Sequence, residues 1–364
     1  MNGPAFRAGL FALALPAAAL GPQPAPATPA PARIESVAEA IRAEMSQRAI
    51  PGLSAAIVVD RELRWASGFG LADLENRVAA RADTVYRLGS ISKPITATAV
   101  LQLWERGALD LDAPVRKHCP TFPEKPWPVT ARQLLAHLGG VRHYARGELE
   151  STRHYLGLDE ALTIFKDDPL VHEPGTRYFY STYGYNLLGC AVEGASGRDF
   201  VDYLADRVFR PAGMEGARAD DVFAIVPNRA PGYVRTADGY RNSGLADTSN
   251  KIPGGGLLAA APDVARLAIG LQTGVLLRRE TLDLMLTPQN TRDGKPTGIG
   301  LGLRLGQHNG RREAWHTGAQ QRVSTVLYMQ PDHGLAVVLL CNLEDVGPVL
   351  FDLARRVADV LSGP

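Results

Sequence analysis

Two pairs of β-strand patterns, one near each end of the chain, constrain the fold most strongly. Residues 53–60 (LSAAIVVD) and 63–70 (LRWASGFG) flank one short turn, and residues 323–329 (VSTVLYM) and 335–343 (LAVVLLCNL) flank another. Amphipathic helices are predicted before the first pair and after the second. The arrangement predicts an α+β fold, in which one antiparallel sheet receives strands from both ends of the chain and is flanked by the terminal helices.

The middle of the chain, roughly residues 90–270, has a different character. Helical patterns dominate it, and long connections rich in proline and glycine separate them. We therefore predict a mostly helical subdomain inserted between the two strand pairs. A cleft between this subdomain and the sheet is the expected place for a functional site.

Residues 1–32 are predicted to be a signal peptide and a linker, and residues 33–364 the functional domain. One positive charge precedes an apolar run of thirteen residues (AGLFALALPAAAL), and a Pro/Ala linker follows. Thirteen residues are too few to span a bilayer about 30 Å thick, so no integral span is expected after cleavage near Ala19 or Ala27. Periplasmic or secreted localisation follows. An uncleaved anchor and a mitochondrial-type presequence are the alternatives, the latter because no acidic residue precedes Glu35.

Charge and cysteine content narrow the classes of partner and of covalent structure. The 39 basic and 38 acidic residues nearly balance, so the net charge gives no reason to expect nucleic acid or an anionic membrane surface as a partner.

Three cysteines are too few for a disulfide framework. Cys190 and Cys341 lie in apolar segments, and we predict inert core cysteines, with a single disulfide as the alternative.

A serine and a lysine at the start of an apolar helix give the main chemical signal. In the segment YRLGSISKPITATAV, Lys93 follows Ser90 by three residues, which places both side chains on one face of a helix. A serine hydroxyl is a poor nucleophile until a base removes its proton. A lysine can be that base only when it is neutral, and burial at a helix N-terminus disfavours the charged ammonium. The same N-terminus offers free backbone N–H groups to an oxyanion.

The spacing of the two residues is a weak signal when taken alone. Lys166 and Lys251 also follow a hydroxyl residue by three positions, and we interpret that spacing as accidental. Ser90 and Lys93, however, form the sole strict Ser-x-x-Lys of the chain. Pro94 is compatible with a helix only in the first turn. The motif must therefore lie at the helix start, where catalysis requires it.

Further segments occur downstream in a fixed order: residues 174–189 (PGTRYFYSTYGYNLLG), 253–267 (PGGGLLAAAPDVARL) and 315–318 (WHTG). Together with the Ser-x-x-Lys segment they resemble the serine β-lactamase and penicillin-binding-protein superfamily, and most closely class C β-lactamases and D-Ala-D-Ala carboxypeptidases. The combination with Ser-Ile-Ser-Lys, Arg-His-Tyr and Tyr-Ser-Thr is most similar to the mitochondrial-type serine β-lactamase-like proteins. The resemblance covers nearly the whole predicted domain and implies a β-lactamase/transpeptidase-like fold.

The resemblance implies a role for each matched residue near the helix start. Ser90 is the acylated nucleophile, and Lys93 is its base or proton shuttle. Tyr180 matches the tyrosine of the family's Tyr-x-Asn element, whose phenol relays protons to the leaving group and to the deacylating water. Core packing is the alternative role for Tyr180, because several tyrosines surround it in the sequence.

A strand matched by the same resemblance closes the other wall of the cleft. His316, Thr317 and Gly318 stand where the family has Lys/His-Thr-Gly, and the backbone N–H groups of Ala319 and of the nucleophile form the implied oxyanion hole. A purely structural strand histidine is the alternative interpretation of His316.

The sequence departs from the family pattern at two single residues and in one short run. Thr182 replaces the asparagine of Tyr-x-Asn, so a shorter hydroxyl stands where an amide helps to hold substrate and lysine. His316 replaces the lysine of typical β-lactamases, and a histidine is only partly charged near neutral pH, which weakens the case for efficient antibiotic hydrolysis. The run Gln320-Gln321-Arg322 replaces small residues that usually allow close substrate approach. Within it, Arg322 is interpreted either as a ligand for a substrate carboxylate or as a solvent-facing residue.

No cofactor or metal ion is predicted. The alternating glycines of residues 298–306 (GIGLGLRLG) lie on a probable strand and lack the context of a dinucleotide loop, and residues 254–256 lack the Lys-Ser/Thr of a phosphate loop. His137 and His143 have no third ligand at metal spacing.

These features predict a metal-independent serine hydrolase that forms an acyl-enzyme on a peptide or amide bond of a small substrate. An esterase and a β-lactamase are the alternatives that use the same apparatus. A non-catalytic ligand-binding or scaffold module is the alternative from another class. The joint presence of Ser90, Lys93 and Tyr180 argues against that module, because an idle fold has no physical need for a buried lysine.

Overall fold

The computed structural model of the protein describes residues 31–363. The predicted signal peptide and nearly all of the predicted linker therefore lie outside the described residues. The strands are β1 (Gly52–Val59), β2 (Glu62–Asp73), β3 (Val78–Ala79), β4 (Val85–Arg87), β5 (Arg218–Ala219), β6 (Tyr233–Thr236), β7 (Gly239–Asn242), β8 (Leu257–Ala260), β9 (Gln289–Asn290), β10 (Pro296–Ile299), β11 (Arg304–His308), β12 (Arg311–Gln320), β13 (Val323–Gln330) and β14 (Leu335–Cys341). The α-helices are α1 (Pro31–Arg48), α2 (Ser92–Glu105), α3 (Ala131–Leu135), α4 (Leu158–Leu162), α5 (Tyr183–Ser196), α6 (Phe200–Leu204), α7 (Arg210–Ala212), α8 (Ile252–Gly255), α9 (Ala261–Gln272), α10 (Arg279–Met285) and α11 (Gly347–Ser362). Short 3-10 helices lie at Gly89–Ile91, Val115–Lys117, Ser249–Lys251 and Pro331–His333, and a π-helix lies at Ala205–Phe209.

The strands from the two ends of the chain lie side by side in one antiparallel sheet. In the described residues the largest sheet has the order β3-β2-β1-β14-β13-β12-β11-β10-β9. At its centre β1 pairs with β14, with Leu53 opposite Cys341. The first and the last long strands of the chain thus form the middle of the sheet, and the predicted α+β fold is confirmed.

The terminal helices cover one face of this sheet. Helix α11 packs on β13 and β14, and α1 packs on α11. Both helices bury apolar residues in one cluster with the sheet, including Val37, Ile41, Ile57, Val337, Leu350, Leu353 and Val357. Each such side chain contributes about 1.5–3 kcal/mol when it leaves water. Among the described helices, none combines the length and the apolar character that a membrane crossing requires.

The opposite face carries the inserted region, whose centre is the apolar helix α2. Helix α9 packs directly on β1, β2 and β14, and α2 packs against α5 and α8. Every residue of α2 from Ser92 to Leu103 is buried. The region is less purely helical than predicted, because it also contains a small sheet of order β4-β8-β5 and the hairpin β6-β7. These strands have two to four residues each, which is too short for a period-two pattern to show.

The glycine-rich residues 298–306 do not form the single strand that was predicted. The chain leaves the sheet after β10 and re-enters it at Arg304, the first residue of β11. A Cβ on Gly300 would lie 2.2 Å from the carbonyl oxygen of Met285, and a Cβ on Gly302 (φ +95°) would lie 2.6 Å from the Cβ of Ala97 on α2. The alternating glycines therefore allow the chain to form a tight turn that packs closely against α10 and α2.

The prediction of inert core cysteines is wrong for two of the three. Cys119 and Cys190 form a disulfide with a Cα–Cα distance of 5.4 Å, and Cys341 is a buried free thiol. The pairing arises because the segment after the Val115–Lys117 turn packs against α5, which carries Cys190. The bond joins residues separated by 71 positions, and a loop of that length gives a stabilisation of about 4 kcal/mol in the chain-entropy description.

Candidate active site

Ser90 lies in a 3-10 turn that leads directly into α2. The turn, Gly89–Ile91, follows β4, and α2 begins at Ser92. Lys93 and Pro94 are consequently in the first helical turn, where proline is tolerated. The structure places Lys93 Nζ 3.0 Å from Ser90 Oγ.

Lys93 is enclosed completely and has no carboxylate partner among the described residues. Its exposed fraction is 0%. Besides Ser90 Oγ, its Nζ contacts the carbonyl oxygen of Gly254 at 2.6 Å and Thr182 Oγ1 at 3.1 Å. Burial, reinforced by the charge of Lys251, holds the pKa of Lys93 well below its usual range. The side chain is therefore set up as a neutral amine.

The contacts of Lys93 fit the hydrogen-bonding capacity of a neutral amine. Such a group has two N–H bonds and one lone pair. The N–H bonds can be donated to Gly254 and to Thr182, which leaves the lone pair to accept the proton of the Ser90 hydroxyl at 3.0 Å. Thr182, whose role was in doubt from the sequence, is thus one of the groups that fix the lysine.

Tyr180 approaches Ser90 from the other side. Its hydroxyl donates to Ser90 Oγ at 2.7 Å, and Lys93 Nζ lies 4.8 Å from the centre of its ring. Burial raises the pKa of Tyr180 above its usual value, so the phenol keeps its proton at neutral pH. Ser90 Oγ consequently accepts from one residue and can donate to the other, which orients its hydroxyl.

His316 is neutral rather than partly charged. Burial lowers the pKa of His316 to about 3. Its Nδ1 lies 2.8 Å from the carbonyl oxygen of Thr317, and because a carbonyl only accepts, Nδ1 carries the proton. Nε2 then has a free lone pair. His316 therefore offers a hydrogen-bond acceptor to the cleft and not the cation of a lysine.

His137 and His143, which the sequence excluded as metal ligands, hold the tyrosine segment. The ring centre of His137 lies 4.4 Å from that of Tyr180, and the His143 ring meets the Tyr180 ring edge-on at 5.4 Å. The backbone N–H groups of Ser181 and Thr182 donate to the Nδ1 atoms of His137 and His143, each at 3.2 Å. Among residues 31–363, no group of three or more His, Cys, Asp or Glu side chains is arranged to hold a metal ion.

The backbone of β12 forms the wall opposite the tyrosine. Strand β11 pairs with β12 only as far as Trp315, so the following residues have one edge free to face the Gly89–Ile91 turn. Glycines allow this approach: a Cβ on Gly89 would lie 3.1 Å from the Ala319 backbone nitrogen, and one on Gly318 would lie 2.2 Å from the carbonyl oxygen of Leu88. The amide of Ala319 is thereby placed beside the turn that carries Ser90.

These groups surround a pocket of about 250 Å³. Its lining contains most residues predicted from the sequence together with several that were not predicted. The lining residues are Ser90, His143, Tyr144, Leu149, Tyr180, Thr182, Gly254, Gly255, Arg304, His316, Thr317, Ala319 and Gln320. Lys93 lies beneath this surface, completely buried.

Arg304 is a polar lining residue that sequence reasoning missed, whereas Gln320 belongs to the Gln320-Gln321-Arg322 run that departs from the family pattern. Arg304 forms no salt bridge with any described carboxylate, and Gln320 is buried with its Nε2 lacking a hydrogen-bond partner. Arg304 follows the glycine turn, whose path across α2 no local pattern showed. Arg322, the residue proposed from the sequence, does not line the pocket, and its guanidinium is partly buried near Arg87 and Asp220.

The loop that carries His143, Tyr144 and Leu149 is fixed by an ion pair. The Arg142 guanidinium donates to both carboxylate oxygens of Glu148, at 2.7 and 2.9 Å. The hydroxyl of Tyr183, the first residue of α5, donates to the same carboxylate at 2.9 Å. A bidentate pair joined to a helix start gives this wall of the pocket a defined position.

Comparison with known proteins assigns the family. The Beta-lactamase family model matches residues 37–362. The chain belongs to the beta-lactamase family. Its resemblance to that superfamily, predicted from the sequence, is confirmed. A serine hydrolase class with the β-lactamase and penicillin-binding-protein fold follows from membership of the beta-lactamase family.

Individual relatives and solved structures agree with this assignment. The human mitochondrial serine beta-lactamase-like protein LACTB is 30% identical, with 88% of this chain and 80% of that protein aligned. The octameric penicillin-binding protein homologue from Pyrococcus abyssi superimposes with a TM-score of 0.78 at 25% identity, over 90% of this chain and 77% of that chain. The D-amino acid amidase from Ochrobactrum anthropi SV3 shares the fold, with a TM-score of 0.77 at 23% identity over 90% and 98% of the two chains.

The contact between Thr182 and Lys93 can be tested by substitution. Thr182→Val removes an acceptor of the buried amine and leaves one N–H without a partner, which costs about 1–1.5 kcal/mol. We expect acylation of Ser90 by a fluorophosphonate, followed by intact mass, to slow about tenfold. Thr182→Ser keeps the hydroxyl and is the matched control. Acylation of the valine variant at the wild-type rate would show that Thr182 does not hold the lysine.

Proposed function

We propose that this protein is a serine hydrolase that cleaves a peptide or amide bond through an acyl-enzyme on Ser90. One observation carries the proposal: Ser90 Oγ lies 3.0 Å from the Nζ of a fully buried Lys93 and 2.7 Å from the hydroxyl of Tyr180. A lysine buried without a carboxylate is costly in a fold that does not use it. The arrangement brings a base and a proton donor within hydrogen-bond distance of one nucleophilic oxygen.

Acylation follows from these positions. Lys93 takes the proton of Ser90, and Oγ attacks the substrate carbonyl carbon. The resulting oxyanion accepts hydrogen bonds from the N–H groups of Ser90 and Ala319, each of which contributes about 3–4 kcal/mol in comparable enzymes. The bond to the leaving nitrogen breaks as that nitrogen takes a proton from Tyr180, and the proton held by Lys93 restores the phenol. Water then attacks the ester by the reverse sequence of proton transfers.

The charge distribution of the pocket favours an amide substrate that carries a carboxylate. His316 supplies no positive charge, because burial keeps it neutral. Arg304 supplies one, and it lines the same pocket as Ser90. Gln320 adds an unpartnered amide N–H on the wall next to Ala319, where it can donate to a substrate carbonyl. These groups fit a short peptide whose carboxylate pairs with Arg304.

Covalent labelling tests the enzymatic proposal. We expect a fluorophosphonate or a fluorescent β-lactam to add one probe mass to the wild-type protein and none to Ser90→Ala. Ser46, which is exposed on α1, provides the matched control Ser46→Ala, which should label normally. Lys93→Ala should reduce the labelling rate by orders of magnitude, because the base is lost. Failure of both probes to label the wild type would leave the non-catalytic binding module as the better description.

A paired substrate screen tests the proposed substrate class. We expect peptides with a free carboxyl terminus to be cleaved with a kcat/KM roughly ten- to a hundredfold above that of the same peptides amidated there, as a charge-assisted hydrogen bond predicts. Arg304→Gln should abolish this preference, whereas Arg322→Gln, outside the pocket, should keep it. Turnover confined to simple esters would instead favour the esterase, and rapid cephalosporin hydrolysis would favour the β-lactamase.

We also propose that the protein works in the periplasm or outside the cell. The apolar run at its N-terminus and the Cys119–Cys190 disulfide support this, because disulfides persist in oxidising compartments. Fractionation of source cells with thiol trapping tests it: the expected form is a processed chain with one alkylatable thiol, that of Cys341. A cytosolic chain that begins at Met1 and carries three free thiols would overturn it, and recovery in mitochondria would favour the presequence alternative.

A further inference from the structure

A second fully buried lysine, Lys251, stands behind the wall of the pocket. Its exposed fraction is 0%, and it ends the short helix Ser249–Lys251 that precedes α8. Its Nζ donates to the carbonyl oxygen of Leu149 at 2.8 Å and lies 5.3 Å from the centre of the Tyr144 ring. Leu149 and Tyr144 both line the pocket that contains Ser90. Lys251, whose spacing from Thr248 was interpreted as accidental, therefore lies against the active-site wall.

No described carboxylate forms a salt bridge with Lys251. Of the acids near enough to attract its charge, Asp220 is paired with Arg87 and Arg229, and Asp247 contacts His154. The third, Glu150, is exposed to solvent. Burial, with the neighbouring cation of Arg87 as the second cause, lowers the pKa of Lys251 to about 8, so the ammonium still carries its proton at neutral pH. An unneutralised charge inside the protein acts over a longer distance than one at the surface.

We propose that Lys251 is a positioning residue of the catalytic base: its ammonium, held against Leu149, keeps Lys93 in the neutral form that can accept the serine proton. The inference rests on the proposed acyl-enzyme function. Lys251 does not touch the reacting atoms. It sets the pH at which acylation begins, because a neighbouring cation disfavours a second one.

The other titratable groups around Lys93 do not supply a comparable charge. They come from the tyrosine segment, the loop before it, α5 and the sheet: His137, His143, Tyr180, Tyr185, Arg304 and His316. Burial lowers the pKa of His143 to about 4 and that of His137 well below its usual range, and the tyrosines keep their protons. Arg304 is a further cation of the pocket, and it contributes to the pKa shifts of His137, His316, Tyr178 and Tyr180. Lys251 is also close to Lys93 in space: the carbonyl oxygen of Gly254 accepts from Lys93 Nζ at 2.6 Å, and a Cβ on the next residue, Gly255, would lie 3.9 Å from Lys251 Cδ. After burial, the charge of Lys251 is the second cause of the lowered pKa of Lys93.

The pH dependence of acylation tests this role. The acylation rate with a fluorophosphonate, measured by intact mass between pH 5 and 10, rises as Lys93 loses its proton. Lys251→Gln removes the charge but retains an N–H that can donate to Leu149. We expect its half-maximal pH to move upward, with a loss of rate at pH 6 that largely disappears at pH 10. Lys251→Arg keeps the charge and should keep the wild-type midpoint, as should the exposed control Lys295→Met.

Thermal melts identify which variants are folded, and if Lys251→Gln is unfolded then Lys251→Met carries the same comparison. A loss of rate that is equal at all pH values would assign Lys251 a structural role and overturn the inference. An upward shift in Lys251→Arg equal to that in Lys251→Gln would overturn it as well. Absence of labelling in the wild type is a different result, because it contradicts the proposed function itself.

Discussion

The rest of the active site depends on the burial of one amine. Lys93 is held by a carbonyl, a hydroxyl and the serine that it serves, with aromatic rings close by. Without water or a carboxylate, the neutral form is the stable one. The histidines around Tyr180 are neutral as well, so none of them introduces a charge beside the amine. An additional carboxylate or a water channel next to Lys93 would stabilise the ammonium instead. The environment of the amine, more than the serine, distinguishes this turn from an ordinary helix start.

The site is assembled from segments that are far apart in the chain, and each is fixed by contacts of the backbone. Gly89 and Gly318 allow the serine turn and β12 to approach each other. His137 and His143 accept from the backbone that follows Tyr180, so the phenol is placed by its own main chain. Gly254, at the end of α8, supplies the carbonyl that receives the lysine. Backbone contacts of this kind place catalytic side chains with little loss of conformational entropy at the time of reaction.

The sequence predicts those parts of the protein whose signals are local. The terminal helices and hairpins follow from periodicity, and the nucleophilic turn follows from the spacing of Ser90 and Lys93 together with the constraint of Pro94. What could not be predicted depends on the path of loops. The partner of Cys190 is 71 positions away, and the spacing carries no information about that contact. Arg304 reaches the pocket because the glycine turn bends across α2. Lys251 lies behind the pocket because the loop that carries Leu149 folds over it.

The pairing of β1 with β14 also determines the order in which the protein can be completed. The middle of the sheet consists of a strand made early in synthesis and one made almost last, so β1 lacks a partner on one side until the carboxyl-terminal segment has emerged from the ribosome. Contacts this distant in sequence form slowly, and the nascent chain must remain unfolded or be shielded meanwhile. A chain that ends before β14 would expose two central strands as open edges, which makes the last thirty residues as indispensable to the fold as the nucleophile is to the chemistry.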